Sequence, residues 1–325
     1  EIVRGLREEA CRQGNLPKGM STVAWSLYFG GNPYQRPPSE RMAWAKDLKI
    51  KTFDKSDEAL LYIGCTASYD RRIQKVTRAL LKIFETAGLR FGILADKEPC
   101  CGEAMMSLGR QAFAQKIIAD NVRLFSESGV KTVVAISPHC FDMFQNHYPK
   151  ESAGFRVLHY TQLLAGLIEK KRLVFENQLP IRVAYHDPCY LGRGNGEYEA
   201  PRAILRAIGG IETVELDENR EEALCCGGGG GRMWMETESK ERFSNLRVSD
   251  AVSKDIQVLA TACPFCIACL EDSAKMANAK MEVMDVAEIA AWALNPSSYS
   301  LKSGPLTDRE VDELSSCYLK EQTGG

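Results

Sequence analysis

The sequence lacks the features that would assign it to a membrane, to secretion or to nucleic acid. No apolar run approaches the ~20 residues that a helix needs to cross a bilayer. No signal peptide stands at the start, and residue 1 is Glu rather than Met, as in a trimmed chain or part of a longer one. A net charge of −2 gives no reason to expect nucleic acid as a partner. We therefore expect a cytoplasmic protein, either free or held at a membrane through a partner protein.

Two common ligand-binding patterns are also missing. The run Gly192-Arg193-Gly194-Asn195-Gly196 lacks the Gly-x-Gly-x-x-Gly spacing, and no Gly-Lys-Ser/Thr loop occurs, which disfavours a nucleotide site. The full four-cysteine run of bacterial ferredoxins is absent as well. Electrons that reach this chain are therefore expected to enter through other subunits.

Cysteine, in contrast, is abundant, and nine of the 12 cysteines belong to a frame that occurs twice. The second copy reads Cys189, 35 residues, Cys225-Cys226, 36 residues, Cys263-x-x-Cys266. The first copy reads Cys65, 34 residues, Cys100-Cys101, 35 residues, Ser137-x-x-Cys140, with a serine in place of one cysteine. We call these cysteine sets the second site and the first site.

Metal binding or redox chemistry is the favoured use of these cysteines. A chain of 325 residues with 45% apolar content can build its own core, and it has no need of a disulfide framework. Cys11, Cys269 and Cys317 lie outside the frame and are interpreted as partly buried small hydrophobes or free thiols. Cys269 is close enough to the second site to be a weak further candidate.

Both halves show the same order of short apolar runs and helical segments. This order predicts an α/β fold of two tandem, internally repeated domains, each with a small, mostly parallel sheet flanked by helices. We predict an N-terminal arm at 1–55, domains at 56–176 and 177–295, and an irregular tail at 296–325. Within the arm, Ser39 is expected to cap a short helix through Lys46, and in the second domain a polar helix is expected from Glu236 to Ser253.

The predicted fold explains how cysteines far apart in sequence share a site. Each follows a predicted strand, and ligands of parallel sheets collect outside the carboxyl ends of the strands. Soft thiolates select iron–sulfur clusters, zinc or copper(I). Zinc usually takes four ligands, and neighbouring cysteines do not easily point at one ion, so five thiols with an adjacent pair favour a polynuclear cluster. The glycines from Gly227 to Gly231 let the backbone approach such a cluster closely.

The frame resembles the signature of the CCG (cysteine-rich) domain, which Cys189, Cys225, Cys226, Cys263 and Cys266 match in full. The tandem arrangement is similar to the D-type and B-type subunits of heterodisulfide reductase and to related iron-sulfur oxidoreductase subunits. The resemblance implies a noncubane [4Fe-4S] cluster at the second site. The first site departs from the pattern at Ser137, and Cys65, Cys100, Cys101 and Cys140 are left to hold a [4Fe-4S] cluster, a [2Fe-2S] cluster or zinc.

Three functions follow as hypotheses. The first is an oxidoreductase subunit that takes electrons from a partner and reduces or oxidises a disulfide or thiol substrate, carried on a small protein. The second is an electron relay between a flavin dehydrogenase or electron-transfer flavoprotein and a quinone pool, and the third, disfavoured, is a zinc-stabilised scaffold. The partners would be ferredoxin-like, flavoprotein or membrane cytochrome subunits. His186 is a candidate proton donor and Arg193 a candidate for binding an acidic substrate group.

Overall fold

The computed structural model describes residues 2–15, 17, 19–149, 154–299 and 301. Most of the predicted tail, with Cys317, lies outside these residues. The chain divides into two compact units. Unit 1 comprises Glu1–Arg78, Gly88–Leu163 and Gly229–Glu236, and unit 2 comprises Ala79–Ala87, Leu164–Gly228 and Thr237–Gly325. The predicted domain boundaries stay predictions.

Unit 1 contains a four-stranded parallel sheet in the order β2-β1-β3-β4. Its strands are β1 (Ala59–Tyr62), β2 (Phe91–Gly92), β3 (Thr132–Ala135) and β4 (Arg156–His159). The helices up to the end of this sheet are α1 (Ile2–Arg12), α2 (Met20–Gly30), α3 (Gly64–Tyr69), α4 (Ile73–Thr86), α5 (Glu103–Ser107), α6 (Gln111–Ser128) and α7 (Pro138–Asn146). The central strands β1 and β3 are buried along their whole length, as apolar strands covered on both faces must be.

Unit 2 repeats the sheet in the same order, β6-β5-β7-β8, and again all pairs are parallel. Its strands are β5 (Arg182–Tyr185), β6 (Glu212–Val214), β7 (Val258–Thr261) and β8 (Glu282–Asp285). The remaining helices are α8 (Tyr160–Glu169), α9 (Gly192–Asn195), α10 (Glu199–Ala207), α11 (Ser244–Ser253), α12 (Pro264–Met276) and α13 (Val286–Leu294). The predicted α/β class with two repeated parallel sheets is confirmed.

Two predicted helices are wrong in extent. The stretch from Ser39 to Lys46 forms only 3-10 turns at Pro38–Glu40 and Ala43–Ala45, because two successive prolines remove backbone donors at its start. The predicted helix from Glu236 begins only at Ser244. Tertiary packing overrides the local pattern there, since residues 229–236 pack in unit 1, where the ring of Trp234 lies 5.0 Å from that of Tyr34.

Short helices that the sequence pattern does not predict follow the cysteine positions of unit 1. Helix α3 carries Cys65 in its first turn, and α5 begins immediately after Cys100-Cys101-Gly102. Helix α2 of the arm is also absent from the predicted elements. Among the described residues, no helix is long and apolar enough to cross a membrane.

Candidate metal centres

The five cysteines of the second site converge at the carboxyl ends of the unit 2 strands. The Sγ atoms of Cys226 and Cys266 are 3.2 Å apart. Hydrogen bonds join the thiol of Cys225 to those of Cys189 and Cys226, and the thiol of Cys266 to that of Cys263. One site is therefore built from residues that lie 77 positions apart at the extremes.

Local structure fixes each sulfur. Cys189 follows β5 in the loop His186-Asp187-Pro188-Cys189, and Cys225-Cys226 lies in the loop between β6 and α11. Cys263 occupies the N-cap of α12, with Pro264 in the first turn, so Cys266 projects from the start of the helix. A proline at this position suits a helix start, because its missing N–H has no intrahelical partner there.

The second site is not equally buried on all sides. Cys226, Cys263 and Cys266 are buried, whereas Cys189 and Cys225 are partly exposed. Hydrogen bonds from the thiols of Cys189 and Cys226 lower the pKa of Cys225, and the same contact with Cys225 raises the pKa of Cys189. The arrangement thus favours a thiolate at the partly exposed edge of the site.

His186 stands inside the second site. A nitrogen of its ring and the sulfurs of Cys226 and Cys266 lie within 4.8 Å of one another. Neither ring nitrogen has a hydrogen-bond partner among the described residues, although the side chain is buried. Burial, with the nearby charge of Arg247 as a further cause, lowers the pKa of His186 to about 3. The imidazole is therefore neutral in this environment, which differs from the near-neutral pKa expected of a proton donor.

Arg247, on α11, is a residue that sequence reasoning missed. Its side chain is fully buried, and its three nitrogens make no hydrogen bond among the described residues. Carboxylate oxygens of Glu218 and Asp250 are 3.8 Å from Nη1. No spacing or motif in the sequence marks this arginine, because a charged residue within a polar helix normally faces solvent.

A buried ion pair holds the loop that carries Cys189. The guanidinium of Arg202 donates to both carboxylate oxygens of Asp187 over 2.7 and 2.9 Å, and both side chains are buried. Arg202 also binds Glu215 through two hydrogen bonds of 2.8 Å and lies over the ring of Tyr185. Asp187 accepts a further bond from the backbone N–H of Arg220. This network ties the loop to α10 and to the loop after β6.

The structure places Arg193 on the surface beside the second site. Its guanidinium donates to the backbone carbonyls of Glu221 and Ala223, in the loop that leads to Cys225. This contact gives Arg193 a part in holding the loop, and its predicted binding of an acidic substrate group stays a prediction.

The first site brings together its four predicted cysteines, and all four are buried. Hydrogen bonds link the thiols in a chain from Cys65 to Cys100, from Cys100 to Cys101 and from Cys101 to Cys140. The hydrogen bond with Cys100, followed by burial, raises the pKa of Cys65. Because thiolates are costly to bury without a cation, this set suits a bound metal group.

Ser137 occupies the same structural position as Cys263. Both residues are the N-cap of a helix that starts with proline, and both have extended backbone angles. The hydroxyl of Ser137 accepts a hydrogen bond from the N–H of His139 over 3.3 Å, whereas Cys263 makes no such capping bond. The serine therefore caps its helix in place of supplying a fifth thiol.

A glycine with the same role follows each cysteine pair. The N–H of Gly102 donates to Cys100 Sγ over 3.5 Å, and the N–H of Gly227 donates to Cys225 Sγ over 3.3 Å. Both glycines have left-handed backbones, with φ of +92° and +88°. Residues with a Cβ are strained in this conformation, so the Cys-Cys-Gly sequence is required for the N–H to reach the sulfur.

Substituting Gly227 by alanine is expected to lower the free energy of unfolding by about 1–2 kcal/mol, because of the strain at positive φ. Urea unfolding of the anaerobic protein measures this change. Gly166→Ala is the matched control in the same unit: Gly166 lies within α8 with open space around an added Cβ. That variant is expected to gain about 0.4–1 kcal/mol. Changes of the same sign in both variants would contradict the role of the backbone conformation.

Cys269 also contacts the second site. Its thiol hydrogen-bonds Cys226, and its position completes a run of Cys263-x-x-Cys266-x-x-Cys269 on α12. The sequence offered this signal in the regular spacing of three, since residues three and four apart share a helix face.

The comparisons with known proteins agree with this geometry. The model of the cysteine-rich domain family CCG matches residues 59–145 and 183–271. The chain belongs to this family. Each match spans the strands and the cysteines of one site, so the predicted tandem resemblance is confirmed.

Relatives with assigned names are iron–sulfur or oxidoreductase proteins. The EtfAB:quinone oxidoreductase of Syntrophomonas wolfei is 32% identical over 89% of this chain and 43% of its own length. The probable iron-sulfur-binding oxidoreductase FadF of Bacillus subtilis is 35% identical over 87% of this chain and 42% of its own length. The D-type subunit of the dihydromethanophenazine:CoB–CoM heterodisulfide reductase of Methanosarcina barkeri is 32% identical over 92% and 74%. This chain thus spans less than half the length of the first two relatives.

The residues present fit an iron–sulfur group. The second site offers five thiols in mutual contact together with buried, unpartnered nitrogens of His186, and the first site offers four buried thiols. Such donors are those that iron–sulfur clusters take. The relatives support an iron–sulfur cofactor for the family, and the type of cluster at each site is a matter for proposal.

Proposed function

We propose that this chain is an iron–sulfur oxidoreductase subunit that reduces or oxidises a disulfide or thiol substrate at the second site. One observation carries the proposal. Cys189 and Cys225 are partly exposed, whereas the four cysteines of the first site are all buried. A substrate sulfur can approach the second site at this edge, and the first site is suited to passing electrons without touching a substrate.

The proposed ligands of the second site are Cys189, Cys225, Cys226, Cys263 and Cys266, holding a noncubane [4Fe-4S] cluster. When bound, this group supplies iron that takes a substrate sulfur and exchanges electrons one at a time. Breaking one disulfide bond takes two electrons from a partner and two protons, and releases two thiols. The Asp187–Arg202 pair keeps the Cys189 loop in place, and Gly227 donates its N–H to the sulfur of Cys225.

His186 and Arg247 are proposed to set the charge around the second site. A neutral, buried imidazole beside Cys226 and Cys266 can hydrogen-bond a sulfur without adding charge. The buried guanidinium of Arg247 disfavours a second positive charge on His186. These two side chains keep the interior of the site polar and leave water and substrate to the Cys189 edge.

The first site is proposed to relay electrons between a partner and the second site through an iron–sulfur cluster on Cys65, Cys100, Cys101 and Cys140. Zinc there would make it structural. The partner is proposed to be a ferredoxin-like, flavoprotein or membrane cytochrome subunit, and association with a membrane is proposed to occur through it. The substrate thiol is proposed to be carried on a small protein.

A second candidate is a relay without substrate chemistry, between an electron-transfer flavoprotein and a quinone pool. The observation that favours it is the similarity to a relative named EtfAB:quinone oxidoreductase, which extends over 89% of this chain. In this case the second site also passes electrons, and its partly exposed edge is covered by a partner.

Electron paramagnetic resonance (EPR) of the anaerobically purified, oxidised protein distinguishes the two. Addition of glutathione or coenzyme A thiol is expected to change the signal of the second site, because a substrate sulfur binds there. The S-methylated forms of the same compounds are the matched control and are expected to change nothing.

The outcomes separate the hypotheses. Two reducible iron–sulfur signals that respond to no thiol, including a thiol on a carrier protein, would favour the relay. Protein that contains zinc but no iron and no acid-labile sulfide would contradict both redox functions.

A further inference from the structure

A buried arginine from the N-terminal arm faces the first site. Arg41 lies between the turns Pro38–Glu40 and Ala43–Ala45, and its side chain is 5% exposed. Its Nη1 is 3.8 Å and its Nη2 4.0 Å from Cys65 Sγ. These distances are those of weak N–H···S hydrogen bonds.

A carboxylate fixes the direction of this guanidinium. Nη2 donates to Glu98 Oε1 over 2.8 Å, and Glu98 is itself buried. The same carboxylate accepts the backbone N–H groups of Ile63 and Gly64, each over 2.8 Å. Glu98 therefore anchors both Arg41 and the loop that leads to Cys65.

Part of the guanidinium is left unpaired. The Nε of Arg41 is buried and has no hydrogen-bond partner among the described residues. Arginine is buried only when its charge is balanced, and Glu98 already shares its own charge with two backbone N–H groups. A further source of negative charge is the sulfur of Cys65, which the guanidinium contacts.

We propose that Arg41 is a positioning residue of the first site, which donates to Cys65 Sγ and raises the reduction potential of the group held there. This rests on the proposed function, since it takes that group to be an iron–sulfur cluster. Adding an electron adds negative charge, and a fixed cation and N–H donors at a ligand sulfur stabilise the reduced state in a low-dielectric interior. The arm, which lies outside both cysteine frames, thereby becomes part of the first site.

The consequence concerns the order of electron transfer. A higher potential makes the first site the easier of the two to reduce by a donor. Lysine at position 41 would keep the charge but lose the planar fork that contacts Glu98 and Cys65 together.

Potentiometric EPR titration tests the proposal, with the first-site signal defined as the one lost in Cys65→Ser. Arg41→Met is expected to move its midpoint to more negative potential by at least tenfold in the one-electron equilibrium constant, which is 59 mV. Arg41→Lys is expected to recover more than half of the shift. Arg78→Met is the matched control, because Arg78 binds Asp47 and the carbonyl of Trp44 in the same stretch of the arm but no sulfur. It is expected to leave the midpoint unchanged.

A second variant covers the case in which Arg41→Met loses its first-site iron. The double variant Arg41→Met with Glu98→Gln removes the carboxylate that the single variant leaves unpaired, and it is titrated in its place. An unshifted midpoint in a variant that keeps its iron overturns the proposal, and so does loss of first-site iron in the double and lysine variants alike. A wild-type protein without any first-site redox signal overturns the proposed relay as well.

Discussion

Cys226→Ser is expected to remove the iron–sulfur group from the second site and to abolish thiol-dependent chemistry there. Cys226 is buried at the centre of the site, where its sulfur contacts Cys225, Cys266 and Cys269. Loss of a partner outside the ligand set of a metal site typically costs about 10- to 100-fold in affinity or activity. Loss of a central ligand should exceed that range.

Iron and acid-labile sulfide per chain measure the effect. The content of Cys226→Ser should fall by the share of the second site, while the first-site EPR signal remains. Cys101→Ser is the corresponding change in the other half and should give the reverse pattern. Cys11→Ser, on α1 and outside both sites, should change neither. If Cys226→Ser kept its full iron content and its response to thiols, the assignment of the second site would be wrong.

Asp187→Ala is expected to lower the free energy of unfolding of unit 2 by about 3–5 kcal/mol, the usual effect of breaking a buried ion pair from one side. The substitution leaves the guanidinium of Arg202 in the interior with only Glu215 beside it, and it also removes the acceptor for the N–H of Arg220. The loop that carries Cys189 should loosen at the same time.

Urea unfolding, followed anaerobically by near-ultraviolet circular dichroism, gives the size of this loss. Glu212→Ala is the control in the same unit, because its ion pair with Arg182 is exposed and should contribute about 1 kcal/mol or less. Should Asp187→Ala lose no more than Glu212→Ala, the buried pair does not stabilise the loop.

The paired frames made the fold and the cysteine sets predictable. The apolar runs of β1, β3, β5 and β7 are short and buried, so their strand pattern is plain in the sequence. The serine in place of one cysteine is also visible by aligning the halves. Its use as a helix cap is consistent with the sequence, because serine followed by proline is typical of a helix start.

Local patterns failed where packing with distant residues decides the conformation. The expected start of the polar helix at Glu236 is wrong because the preceding stretch packs in unit 1. The arm was expected to form one capped helix at Ser39, and it forms two short turns that direct Arg41 inward.

The sequence by itself determined the family, the parallel sheets and the cysteines of the two sites, because each is written in a repeated spacing. Only the tertiary structure decided the charged surroundings of those sites. Arg41 lies 24 residues from the cysteine that it contacts, and Glu98 lies 34 residues from the glycine that it binds. Arg247 and His186 meet across 61 residues of sequence. A buried charge is selected by the partners that packing brings to it, and no local periodicity records which partners these are.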